Sequence, residues 1–170
     1  LGQTIMYVSR ENKVIGYIGV QDEIRSDSSN ALAELAGMNP PIRTVMLTGD
    51  NPQAAARVAS QIPGIDEVHA GLLPEDKLAQ IEALGQGDNA VAMVGDGIND
   101  APALARADIG IAMGGGGTAQ AMETADVVLM QDDLSHVAMA LRIGRKSRQI
   151  IKQNIMLSLA LKLAFLALAI

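Results

Sequence analysis

The chain has 170 residues, 13 Lys and Arg against 19 Asp and Glu, no cysteine, and three aromatic side chains, Tyr7, Tyr17 and Phe165. That length allows one ordinary domain with a real core, while the missing cysteines exclude a disulfide framework or a thiolate metal site and the scarce rings argue against a base-stacking nucleic-acid module. Residues 1–140 carry all 19 acids and seven basic residues, whereas residues 141–170 carry six basic residues and no acid, so the two parts face different surroundings and the acidic part offers no face to DNA or RNA.

The chain starts at Leu1, without the basic start and long apolar run of a secretory signal. It reads as a piece of a larger protein. Thr4 to Val8 and Val14 to Val20 are β-branched and tyrosine-rich runs around Arg10-Glu11-Asn12-Lys13, which predicts a hairpin. Ser26 or Asp27 can cap a helix through about Ala36, with Pro40-Pro41 ending it. Thr44 to Leu47 reads as a strand, Asn51 starts a helix carrying Ala54, Val58 and Ile62, Val68 lies in a short strand, and Pro74 begins a helix with Leu78, Ile81 and Leu84. A buried strand over 90–94, a helix from about Asn99 to Ala105, a strand over 109–112, a glycine run and a strand over 126–130 follow. Strands alternating with helices of this length imply an α/β fold, a parallel sheet covered on both faces, with ligands beyond the carboxyl ends of its strands. Gly114 to Gly117 matches no Walker loop and reads as a flexible turn.

From Asp132 the period becomes helical. Arg142, Arg145, Lys146, Arg148 and Lys152 precede Ile155 to Ile170, which is apolar except for Ser158 and Lys162. A membrane-spanning helix needs about 20 apolar residues. The run reads as the start of such a helix, with its basic flank on the cytoplasmic side.

Met93-Val94-Gly95-Asp96-Gly97-Ile98-Asn99-Asp100-Ala101-Pro102 is the most informative stretch. Asp-Gly and Asn-Asp alone are turn formers. Here two carboxylates and an amide follow a strand end, a set that suits a hard cation shared with a phosphate. The stretch closely resembles the GDGxNDxP motif of the P-type cation-transporting ATPases, members of the haloacid dehalogenase superfamily. Met46-Leu47-Thr48-Gly49-Asp50-Asn51 resembles that family's TGD motif, Leu73-Pro74-Glu75-Asp76-Lys77 its lysine segment, and Gly110 to Met113 followed by Glu123 to Asp126 the next strand and loop. The resemblance runs roughly from Tyr7 to Ile170.

The resemblance implies a haloacid dehalogenase-like, Rossmann-like domain working with ATP and Mg²⁺ through an aspartyl phosphate. It makes Asp96, with Asp100, the Mg²⁺ ligand, gives Asn99 an amide contact to the phosphate, and lets Asp100 support either the metal or Lys77. Lys77 becomes the point charge on the phosphate, although by spacing alone it reads as an exposed helix lysine. Thr48 and Gly49 belong to the loop at the same phosphate, and Asp50 orients that loop, contacts the nucleotide or caps a helix. The family's nucleophile, the aspartate of a D-K-T-G-T segment, does not occur in these 170 residues. The implied division is 1–20, the end of the nucleotide-binding domain; 21–132, the C-terminal part of the phosphorylation domain, entered through Gln21 to Arg25; and 133–170, the stalk and the start of a transmembrane helix.

Gln153-Asn154-Ile155 and Leu159-Ala160-Leu161-Lys162 resemble the subgroup exporting Zn²⁺, Cd²⁺ and Pb²⁺. Asn154, Ser158 and Lys162 fall four residues apart on one helix face, which makes Lys162 a transport-site candidate; otherwise it snorkels. The implied partners are those cations, the lipid bilayer and the rest of the same pump, with no nucleic acid, in a plasma or inner membrane with residues 1 to about 150 cytoplasmic. A Cu⁺-type or other cation pump, a soluble Mg²⁺-dependent phosphatase of the superfamily, and a non-catalytic degenerate piece are the other readings.

Overall fold

The computed structural model describes residues 4–20, 24–95, 100–114, 123–131 and 133–168. β1 (Thr4–Arg10) and β2 (Lys13–Val20) form the expected antiparallel hairpin. Glu11 and Asn12 take positive φ at its tip, the backbone that a tight two-residue hairpin turn requires. Tyr7 and Tyr17 sit directly opposite each other and are both more than 70% exposed, at 73% and 72%.

The expected parallel sheet is present, in two pieces. β3 (Val45–Leu47), α2 (Pro52–Gln61) and β4 (Glu67–His69) form one crossover unit, with Val45 opposite Glu67 and Leu47 opposite His69. α3 (Pro74–Leu84) leads to β5 (Ala92–Gly95), α4 (Ala101–Arg106), β6 (Ile109–Met113) and β7 (Val127–Leu129), and these three strands pair in parallel in the order β5-β6-β7. Among the described residues no strand pairing joins the two pieces. β5 was expected to be buried. Instead it is half-buried with Ala92 exposed, because it is an edge strand with a neighbour on one side only. α4 starts at Ala101, with Asp100 at its N-cap, rather than at Asn99, which lies outside the described residues together with Asp96, Gly97 and Ile98. Gly115 to Gly117 and Gln21 to Glu23 lie outside them as well.

Side chains alternate across β6, and the two faces fill differently. Ile111 and Met113 join Leu129 of β7, Leu35 of α1 (Ser28–Ala36), Met38, and Val137 and Ala138 of α5 (Ser135–Leu168) in the main core. Ala112 faces the other way, onto Leu104 of α4. Gly110 is on that second side, where an added Cβ would come within 2.6 Å of the Leu104 carbonyl oxygen.

α5 is 34 residues long, and its first turns are part of the core. α1 and α5 run parallel and are tied at three levels. Asp27 Oδ2 accepts from the Leu134 N–H at 2.6 Å, Arg142 Nη2 meets Glu34 Oε2 at 2.7 Å, and Arg145 donates to the carbonyls of Asn39 and Pro40 at 3.1 and 3.2 Å. Asp27 therefore does not cap its own helix: it occupies the N-cap position of α1, but its carboxylate serves the start of α5, 107 residues on. α1 runs to Ala36 as expected, with Gly37 as its C-cap ahead of Pro40-Pro41. Asp133 accepts from the Ser135 N–H at 2.8 Å, and the hydroxyl and N–H of Ser135 hold its carboxyl below the usual carboxylate range. That cap is intact at neutral pH and is lost as pH falls through the lowered value, so Asp133→Asn should flatten the acid limb of α5 helicity followed by circular dichroism.

From Arg142 to Leu168 every residue of α5 is exposed. Among the described residues α5 is the one helix long and apolar enough to cross a membrane. A prediction follows from β6: Gly110→Ala must push α4 off the sheet and should cost about 1–3 kcal/mol, read as a lower unfolding midpoint of the detergent-solubilised chain.

Candidate functional site

The site forms at the carboxyl ends of β3, β4 and β5, where a parallel sheet presents its loops. Thr48, Gly49 and Asp50 follow β3. The Thr48 N–H donates to the His69 carbonyl at 2.9 Å, continuing the β3–β4 ladder by one step. The Thr48 hydroxyl donates to Asp50 Oδ2 at 3.1 Å and accepts from the Asp50 N–H at 3.1 Å. The loop is thereby closed on itself, with the Thr48 hydroxyl on its exposed side. Asp50 orients this loop and does not cap α2. Asn51 is the cap, accepting from the Ala54 N–H at 2.9 Å, because its extended backbone sets its side chain over the first turn.

A second loop, Ala70-Gly71-Leu72, lies against the first. Gly71 N–H donates to the Asp50 carbonyl at 2.7 Å and Leu72 N–H to the Thr48 carbonyl at 3.1 Å. Gly71 has φ +70°, a left-handed turn that suits glycine. Sequence reasoning missed this loop; its signal was a glycine three residues ahead of a proline-led helix. The Leu73 N–H then donates to Asp76 Oδ2 at 2.9 Å, which fixes the start of α3 and puts Lys77 in its first turn.

Lys77 Nζ reaches Asp100 Oδ1 at 2.6 Å. Both side chains are largely withdrawn from water, 16% and 17% exposed, so Lys77 is not the exposed helix lysine its spacing alone suggests. Of the two roles open to Asp100, the structure shows the contact with the lysine. An alanine Cβ at Gly95 would fall 2.9 Å from Asp100 Oδ2, so the bare strand end of β5 makes room for that carboxylate. Glu82 and Arg106 repeat the α3–α4 link further along, at 2.7 Å, but on the surface. An unbroken series of contacts thus leads from Thr48 through Leu72, Leu73 and Lys77 to Asp100. Asp96 and Asn99 lie outside the described residues. Lys162 belongs to the far part of α5, remote in sequence from these loops and exposed.

A cation of the Mg²⁺ type takes one or two protein carboxylates and completes its shell with phosphate oxygens and water. Among the described residues no group of three or more His, Asp or Glu forms a protein-only cage. Asp100 adds a single carboxylate whose Oδ1 is held by Lys77. This donor set fits a cation shared with a phosphate.

Residues 1–108 match the family described as haloacid dehalogenase-like hydrolase. The chain belongs to the haloacid dehalogenase-like hydrolases. Within them it is similar to the heavy-metal P-type ATPases. The probable cadmium-transporting ATPase of Listeria monocytogenes is 49% identical over 169 residues, 99% of this chain and 24% of that protein. The zinc-transporting ATPase of Synechocystis sp. is 50% identical over 167 residues, 97% of this chain and 23% of that protein. The crystal structure of a zinc-transporting PIB-type ATPase in its E2.Pi state has TM-score 0.82 and 46% identity, covering 98% of this chain and 26% of that one. The chain spans about a quarter of the length of these relatives.

The geometry makes one site prediction independent of turnover. Removing either partner of the Lys77–Asp100 pair leaves a half-desolvated charge, so Lys77→Met and Asp100→Asn should each destabilise by about 1–3 kcal/mol. The double variant should lose less than the sum, a coupling of roughly 0.5–3 kcal/mol in a double-mutant cycle of unfolding free energies.

Proposed function

We propose that this chain is part of an ATP-driven exporter of heavy-metal cations, Zn²⁺, Cd²⁺ or Pb²⁺, that works through an aspartyl phosphate. The observation that carries the reading is one continuous chain. Lys77 and Asp100 are paired at the carboxyl end of a parallel sheet, and the opposite face of β6 in that sheet packs on a helix long and apolar enough to cross a membrane. A soluble phosphatase of the superfamily has no use for that helix.

In this reading residues 1–20 close the nucleotide-binding domain, 21–132 form the C-terminal part of the phosphorylation domain, and 133–170 form the stalk and the start of a transmembrane helix. The exposed hairpin face with Tyr7 and Tyr17 supports the first assignment. The edges of β3 and β5 that are unpaired among the described residues support the second: they leave room for the strand that carries the nucleophilic aspartate in the whole pump. Residues 1 to about 150 are cytoplasmic.

The roles follow the chemistry of phosphoryl transfer, which is mostly positioning and charge neutralisation. Lys77 supplies a fixed positive charge to the phosphoryl oxygens, and Asp100 sets where its amine stands. Thr48 offers its hydroxyl and Asn99 its amide to the same group. Gly49 keeps the loop flush against Leu72, and Asp50 holds the loop in shape toward the nucleotide. Asp96, with Asp100, would hold Mg²⁺, whose contribution when bound is to neutralise phosphoryl charge.

Lys162 lies roughly 10 Å beyond Ile155 at about 1.5 Å per residue, inside an apolar layer about 30 Å thick. An amine at that depth calls for a carboxylate or a hydrated cavity. Lys162 then acts as an internal counter-ion for an acidic cation site on another helix, taking the place of the cation when it leaves.

In the full-length pump, Lys77→Ala and Asp96→Asn should each slow phosphoenzyme formation from ATP by about 10²-fold or more. Wild-type rates in both variants would remove these residues from the site. Lys162→Ala should change Zn²⁺-dependent ATP turnover while back-phosphorylation by inorganic phosphate without Zn²⁺ stays intact. A variant that cycles and transports like wild type would make Lys162 a snorkelling side chain.

A further inference from the structure

Five basic residues lie between Arg142 and Lys152, and the structure divides them. Arg142 is spent on Glu34 and Arg145 on two backbone carbonyls at the end of α1. Lys146, Arg148 and Lys152 are exposed and have no acidic partner among the described residues. No Asp or Glu follows Asp133 in the sequence, so α5 offers them none of its own.

Their height is set by the helix. At about 1.5 Å per residue, Lys152 stands roughly 4.5 Å and Arg148 roughly 10 Å before the apolar run that opens at Ile155. The headgroup layer is about 5–7 Å deep on each side of the apolar core. Lys152 is therefore inside it, and Arg148 reaches it with its long side chain. Lys146 is about 3 Å higher still, within about a Debye length (~8–10 Å) of that layer's outer edge.

Their angular spread decides the kind of partner. At about 100° per residue, Arg148 and Lys152 are roughly 40° apart, while Lys146 lies at least about 120° round from both. A neighbouring protein helix covers one face. Charges spread round the helix at one end of an apolar segment match a layer that surrounds it, and a layer of negative charge complements them.

We propose that Lys146, Arg148 and Lys152 form a girdle that binds anionic phospholipid headgroups, with Arg148 and Lys152 in direct contact and Lys146 acting through the surface potential. The inference rests on the reading of residues 155–168 as membrane-embedded. The girdle fixes how deep α5 sits, and with it the distance between the phosphorylation domain and the bilayer.

The test uses the full-length pump in vesicles of phosphatidylcholine with about a fifth phosphatidylglycerol, a fraction at which surface potential is felt. A photo-crosslinking residue at Gln149 captures its neighbours, which are identified by mass spectrometry. Phosphatidylglycerol should be captured several-fold above its mole fraction, and the excess should shrink in high salt. In R148Q/K152Q the capture should return to the mole fraction, whereas the charge-keeping R148K/K152R should retain the excess. Capture at the mole fraction in the wild type, an unchanged excess in R148Q/K152Q, or capture of a protein segment of the pump in place of lipid would each overturn the proposal. Zn²⁺-dependent ATP hydrolysis is measured on the same vesicles. Its absence alongside a charge-dependent lipid excess would fail the transport assignment and leave the girdle standing.

Discussion

The pairing of Lys77 with Asp100 is the joint on which this arrangement turns. Among the described residues strand pairing leaves the sheet in two pieces, and α3, which follows β4, packs on α4. Lys77 belongs to the helix that follows β4, and Asp100 to the cap of the helix that follows β5. An ion pair at 2.6 Å, mostly shielded from water, therefore ties the helix that follows β4 to the helix that follows β5 at the end where the loops converge. Shielding matters to its worth: an exposed pair such as Glu82–Arg106 contributes little, whereas a desolvated one is costly to break. The pair also shields the Lys77 amine and fixes its direction.

A second constraint acts on the opposite face of β6. Ile111 and Met113 pack onto α1 and α5, so the helix that leaves the domain is founded in its core. Three polar ties follow α1 from beginning to end, at Asp27, Glu34 and Asn39-Pro40. α1 precedes the site loops in the chain, so its ties to α5 do not pass through them.

Much of the element order was legible because it rests on local signals. Pro74 at the first turn of α3, Asn51 ahead of Pro52, and the alternation of β6 each specify their element from neighbouring residues. What failed to show was non-local. Asp27 looked like a cap for the helix beside it, and its carboxylate went to a segment 107 residues away. The apolar run before Gly95 looked buried, yet burial of a strand depends on who sits next to it, and β5 has one neighbour. Lys77 was recognised as part of the site through family resemblance, since one lysine on a short helix has no distinguishing period. The contact with Asp100 crosses 23 residues and depends on how two helices pack. Asp100 was singled out from glycine, carboxylate and proline at fixed offsets, and the structure adds its contact with Lys77.

α5 runs without interruption from the core to Leu168. Its glycine, Gly144, has open space around its missing Cβ and does not end the helix. A continuous helix behaves as a stiff rod whose fulcrum is the last place it is held, among the described residues Arg145. From that point to Lys162 the rod measures roughly 25 Å at about 1.5 Å per residue. Tilting the domain by about 10° about this fulcrum would carry Lys162 sideways by roughly 4 Å, about one side-chain contact distance. The gain of such a lever is set by where the grip ends, so a grip one turn further along α5 would shorten the arm by about 5.4 Å and the sideways travel at that tilt by about 1 Å.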